Sequence, residues 1–303
     1  MGAICSALLF GIGATLNKTV LADAHPTVVA GLIYLFAGLA LSLVRFSPLR
    51  GRVMSVLKTP TETEIKIGRK DFGILALVVL SGSTIAPFLF LNGLSQTTAI
   101  NASLLQNTET LFTMLIALLF LKEKASRKDW VGILFLIAGA SFLTTNGKFY
   151  ELSLTQSSLG NAFIVVACLF WGVDNNLSKV LSKKKDIILI TVLKCLAGGT
   201  VLILLSLTLG LELKIPLSAF PYLVSAGAFS IGFSILFFLF SLREIGAMKT
   251  GVIFSTSSLF GAMFAFIMLK ESFSLVQLMA GIVMLIGVYI LFIKVDRLKL
   301  RNQ

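Results

Sequence analysis

The chain has 303 residues, of which 56% are hydrophobic and only 13% charged, with a mean hydropathy of +0.95. A soluble domain carries about 25% charged residues, so this chain has too little polar surface to cover itself in water and must use lipid as its solvent. Its net charge of +12 is accounted for by where the basic residues fall between apolar segments, and no nucleic-acid partner is expected.

Apolar segments follow one another at roughly residues 2–17, 26–45, 72–92, 98–121, 128–145, 159–181, 187–208, 219–241, 247–269 and 274–294. Each is predicted as a helix, because the strand-like alternation of a membrane barrel is absent. No cationic stretch precedes the first segment, so a cleaved signal peptide is not expected. MGAICS, with Gly2 and Ser6, matches the myristoylation pattern, but a lipid adds little to a chain that crosses a bilayer many times. The longest connection, residues 46–71, joins RGRVMSVLK to the polar TPTETE and reads as a solvated basic loop. Cys5, Cys168 and Cys195 sit inside apolar runs without metal-ligand spacing and read as packing residues.

Lysine and arginine divide unevenly between alternate connections. One set holds twenty-one of them, from Arg45, Arg50 and Arg52 through Lys122, Lys179 and Arg243 to Arg301. The other set holds four: Lys18, Lys148, Lys214 and Lys270. The positive-inside rule then places both termini in the cytoplasm of a multi-pass cell-membrane protein.

The chain also repeats itself. TETLFTMLIALLFLKEK (residues 108–124) and TSSLFGAMFAFIMLKES (residues 256–272) share seven of seventeen positions at an offset of 148. FGIGATLNK (Phe10–Lys18) matches WGVDNNLSK (Trp171–Lys179) at an offset of 161, and LSQTTA (Leu94–Ala99) matches LREIGA (Leu242–Ala247). Five segments per half is an odd number, so the second half enters the membrane upside down. The expected fold is all-α and integral to the membrane: ten transmembrane helices as two inverted five-helix repeats, residues 1–146 and 147–303.

These features resemble the EamA-type members of the drug/metabolite transporter superfamily, over nearly the whole chain. The carrying motifs are the W-G of segment six, the short corners before segments four and nine, and the LKE endings. The resemblance implies a central cavity lined mainly by segments 1, 3, 4, 6, 8 and 9, and movement of small metabolites or drugs by alternating access, often as export. Two positions depart from the family pattern: Thr110 stands where a proline is frequent, and Phe10 stands where segment six has Trp171.

Ionisable groups inside spans are costly unless they face protein or water, so each is a candidate for function. On a helical wheel Ser103, Gln106, Asn107, Glu109, Thr110 and Thr113 share one arc. That stripe reads as a cavity wall, with Glu109 contacting a substrate amine or carrying a coupling proton, or else as a buried carboxyl bonding its own helix. Thr250 and Ser257 form the counterpart face in segment nine, where Ser257 is the repeat mate of Glu109. Asp174, beside Asn175 and one turn from Trp171, lies at the same depth from a shared loop as Lys194. Two readings stand for it: an intramembrane pair with Lys194, or a place in the permeation path beside a helix broken at Gly172. Glu123 and Glu271, which close the LKE motifs, read as caps or turn residues.

No catalytic constellation and no nucleotide-binding glycine loop appears, so no enzyme activity and no cofactor is expected, and transport would be secondary or facilitative. The reading is a secondary transporter, an exporter of small organic metabolites such as amino acids or drug-like solutes, embedded in the lipid bilayer. The competing class is a polytopic enzyme or assembly protein acting on lipid-like substrates. It needs an ionisable cluster at one leaflet, where the sequence offers groups expected at different depths.

Overall fold

All regular structure among the described residues is helical, and local sequence explains where the helices begin and end. The computed structural model describes residues 2–48, 50–51, 53, 68–120, 127–145, 156–182, 186–245 and 247–301. Glu123 and most of the 46–71 connection lie outside them. In chain order the helices are α1 (Gly2–Val20), α2 (Pro26–Phe46), α3 (Arg69–Leu80), α4 (Ala86–Gln96), α5 (Ala99–Leu105), α6 (Asn107–Phe120) and α7 (Arg127–Thr144). Then follow α8 (Gln156–Ser182), α9 (Ile187–Thr208), α10 (Phe220–Ser225), α11 (Ser234–Ile245), α12 (Ala247–Phe254), α13 (Ser257–Met268) and α14 (Leu275–Arg301).

Polar side chains at the helix starts satisfy backbone amides that have no partner within the helix. Asp186 accepts from the Leu189 amide at 2.9 Å to start α9, and Thr98 accepts from the Asn101 amide at 3.1 Å to start α5. Ser274 and Gln277 form a reciprocal capping box at the head of α14, at 2.8 and 3.1 Å. Gly210, with φ +66°, ends α9 in the left-handed region that favours glycine.

Two π-helical stretches, Ser81–Ile85 and Ala226–Phe233, run without a break into their neighbours, joining α3 to α4 and α10 to α11. A further interruption at Gln106 separates α5 from α6, and another at Ser255–Thr256 separates α12 from α13. The polar arc expected along segment four is therefore cut in two at Gln106. By contrast α8 runs unbroken through Gly172, so the expected break there does not occur. Gly172 instead lets α8 approach α6, where an added Cβ would lie 2.9 Å from the Phe112 side chain.

Seven helical segments among the described residues are long and apolar enough to cross a membrane: Gly2–Val20, Pro26–Phe46, Asp71–Gln96, Ala99–Phe120, Gln156–Leu181, Ile187–Thr208 and Phe220–Leu242. Trp130–Leu143, Ser257–Met268 and Leu275–Ile290 are shorter apolar helices. Packing is reciprocal between the halves. The helix α2 packs on α9, and α7 on α14, while α4 and α6 flank α8 much as α11 and α13 flank α1. Small residues bring these pairs together: a Cβ on Gly93 would sit 2.6 Å from the Gly160 carbonyl, and one on Gly160 would sit 2.7 Å from that of Gly93. The outer surface is apolar. Leu43 (74% exposed), Leu119 (74%) and Phe120 (77%) point away from the bundle, an arrangement that is stable in hydrocarbon and costly in water.

Candidate functional site

The bundle interior holds a chamber of about 460 Å³ of atom-free space, its mouth included. Glu109 reaches it from α6, Trp171, Asp174, Asn175 and Ser178 from α8, Lys194 from α9, and Tyr34 from α2. Phe238 of α11 and Phe254 of α12 form an apolar wall.

Lys194 donates from Nζ to Asp174 Oδ2 at 2.6 Å, with side chains 2% and 8% exposed. Ser178 Oγ donates to the other carboxylate oxygen of Asp174 at 2.9 Å. Bonding of the remaining lone pairs offsets part of the desolvation of such a pair, and both carboxylate oxygens of Asp174 are bonded. Of the two readings of Asp174, the pair with Lys194 is the one observed, and both residues line the chamber, beside a helix that is unbroken at Gly172.

Glu109 sits in the first turn of α6 because the chain breaks at Gln106 and starts a new helix at Asn107. A helix N-terminus inside the bundle favours an anionic group there. Asn175 Nδ2 donates to Glu109 Oε1 at 2.7 Å and lies 3.2 Å from Thr113 Oγ1. Among the described residues no lysine or arginine pairs with Glu109, which is 7% exposed. Three ionisable groups therefore converge on one chamber deep in the bundle, instead of standing at separate depths.

The π-helical stretch explains how Gly82 enters the site. Widening the helix frees the Gly82 carbonyl, which accepts from Tyr34 OH at 3.0 Å and from Trp171 Nε1 at 3.1 Å. The Asp174 carboxylate occupies the space where a Gly82 side chain would be, so any larger residue collides with it.

The remaining expected residues are placed elsewhere. Ser103 is fully buried against Gly261 of α13, in a helix crossing. Ser257 lies where α13 meets Gly11 of α1. Thr110 makes a 3.5 Å contact with the Gly251 carbonyl, and Thr250 is fully buried with no hydrogen-bond partner for its hydroxyl. Asn107 is buried with neither side-chain polar atom bonded. Gln106 lines a second, smaller chamber. Tyr34 and Gly82 were not among the expected residues. The only sequence signals for them are a tyrosine inside an apolar run and the small-residue cluster SGST.

Outside the two chambers, two charged side chains bond the ends of helices. Lys18 donates to the Leu94 and Thr97 carbonyls at 2.7 and 2.6 Å, where α4 ends. Glu271 accepts from the Ala99 and Ile100 amides, each at 2.9 Å, where α5 begins. The cap expected of Glu271 is thus formed, on a helix of the other half.

Membrane-length helices with lipid-facing apolar side chains around a buried polar chamber define a multi-pass membrane protein built to hold polar groups away from lipid. The chain belongs to the EamA-like transporter family, whose sequence profile matches residues 1–145 and again residues 158–293. It is 43% identical to an uncharacterized transporter of Methanothermobacter thermautotrophicus over 95% of this chain and 84% of that one. It is also 23% identical to the uncharacterized transporter YoaV of Bacillus subtilis, over 95% and 94% of the two chains. A solved crystal structure superposes with a TM-score of 0.71 at 14% identity, covering 98% of this chain and 97% of that one, and so shares the fold. The family and these relatives point to transport, not to an enzyme.

Proposed function

We propose that this protein is a secondary transporter that exports small organic solutes, amino acids or drug-like amines among them, by alternating access around the first chamber. The observation that carries the proposal is the convergence of Glu109, Asp174 and Lys194 on one buried space between helices from both halves. With Lys194 held by Asp174, the carboxylate of Glu109 is the group left to meet a solute's ammonium or to carry a coupling proton. Asn175 holds Glu109 in place, Asp174 sets the local charge, and Trp171 supplies an aromatic face. Ser103, Thr110, Thr250 and Ser257 serve helix packing in this reading.

The architecture we propose is ten spans in two inverted units, residues 1–146 and 147–303, in the cell membrane with both termini cytoplasmic. The internal repeat, the reciprocal packing and the lysine and arginine distribution support it. The test is uptake or counterflow of a panel of amino acids and amines by proteoliposomes containing the purified protein. Movement of at least one class above protein-free vesicles is expected. No movement of any solute by correctly inserted protein would overturn the proposal.

A further inference from the structure

The second chamber, about 290 Å³ of atom-free space with its mouth included, is the repeat counterpart of the first. At the offset of 148, Pro87, Phe90, Leu91 and Gln106 of the second chamber correspond to Ile235, Phe238, Leu239 and Phe254 of the first. At the offset of 161, Gly13 corresponds to Asp174, and Asn17 to Ser178. One contact is also inverted. In the first chamber Asp174 fills the space beside Gly82; in the second Ser230, the mate of Gly82, fills the space beside Gly13, the mate of Asp174. The same walls are thus built twice, with charge in one copy only. Phe10, Tyr34 and Trp171 line both chambers and stand between them.

The second chamber is polar without being charged. Asn17 is 3% exposed and Gln106 is 6% exposed, and the amide oxygens Oδ1 and Oε1 of these two lining residues have no hydrogen-bond partner. A buried acceptor left unbonded is unfavourable, so two of them beside one empty space call for a donor. We propose that this chamber is a second solute subsite that receives a hydrogen-bond-donating group, a primary amine nitrogen above all, on the amides of Asn17 and Gln106. The proposal deepens the transport reading above and rests on it. It adds that one solute end moves from carboxylate-lined to amide-lined surroundings past the three aromatic residues that the chambers share.

The test is equilibrium binding of 2-phenylethylamine, 2-phenylethanol and phenylacetate to the purified protein in nanodiscs. The wild type is compared with the Asn17→Leu/Gln106→Leu double variant and with Glu109→Gln. The expected result is a preference for the amine over the carboxylate, and a rise of about tenfold in the amine Kd in the double variant from loss of its acceptors. Thermal melting of the double variant should match or exceed wild type, since apolar replacements remove unbonded groups. If it does not fold, Asn17→Ala with Gln106→Met gives the same comparison. Weaker amine binding in Glu109→Gln alone overturns the second subsite and leaves the first chamber standing. Weaker binding in the amide variant alone supports the subsite and removes Glu109 from solute contact. No binding of the amine to wild type overturns the subsite, while the first chamber is judged separately by transport of the solute panel.

Discussion

Lys194 Nζ and Asp174 Oδ2 stand 2.6 Å apart on helices consecutive in the chain, both deep in the bundle and both facing its main chamber. The two charges neutralise each other where lipid surrounds the helices. Removing either partner alone strands the other, which costs about 3–5 kcal/mol for a buried pair. Lys194→Met should therefore lower the melting temperature of the purified protein sharply. Adding Asp174→Asn should recover most of the loss. Additive losses in the double variant would show that the two side chains do not stabilise each other.

Gly82 has no room for a methyl group beside the Asp174 carboxylate. Gly82→Ala should displace Asp174 or the π-helical stretch, at about 1–3 kcal/mol for overpacking. Thermal unfolding measures the cost. In the Asp174→Asn/Lys194→Met background, where the pair no longer fixes the side chain at position 174, the same change should cost less.

Glu271 bonds two amides at the start of α5. Glu271→Ala should cost about 1–2 kcal/mol as a lost helix cap. Glu271→Gln keeps an acceptor oxygen and should recover part of it. Equal melting of all three proteins would remove the cap from the account.

The uneven distribution of lysine and arginine predicts a reporter result. A reporter fused at the C-terminus should be in the cytoplasm, and one inserted after residue 148 should be outside. Both on the same side would contradict the inverted arrangement of the halves.

The long helices were legible from apolar runs: residues 187–208 were expected and Ile187–Thr208 is observed. The meeting of Asp174 and Lys194 was legible too, because a short connection between helices fixes relative depth. The break at Gln106 was not, since no proline or glycine marks it. The helix-wheel grouping of Ser103 with Glu109 failed for that reason, as a wheel assumes one continuous helix. The role of Gly82 was hidden because the partners of its carbonyl, Tyr34 and Trp171, and the carboxylate beside it, Asp174, come from other helices far along the chain. The cap from Glu271 crosses 171 and 172 positions of sequence to reach Ile100 and Ala99, farther than a local pattern can see.

We propose above that Glu109 in the first chamber handles the solute or its coupled proton. The most direct measurement is the initial rate of transport, in proteoliposomes, of whichever panel solute the wild type moves, with Glu109→Gln at matched insertion and melting temperature. A fall of at least about tenfold in kcat/KM is expected, as when a charged hydrogen-bonding group is lost from a buried site. Transport by Glu109→Gln at the wild-type rate and with the wild-type KM would contradict it.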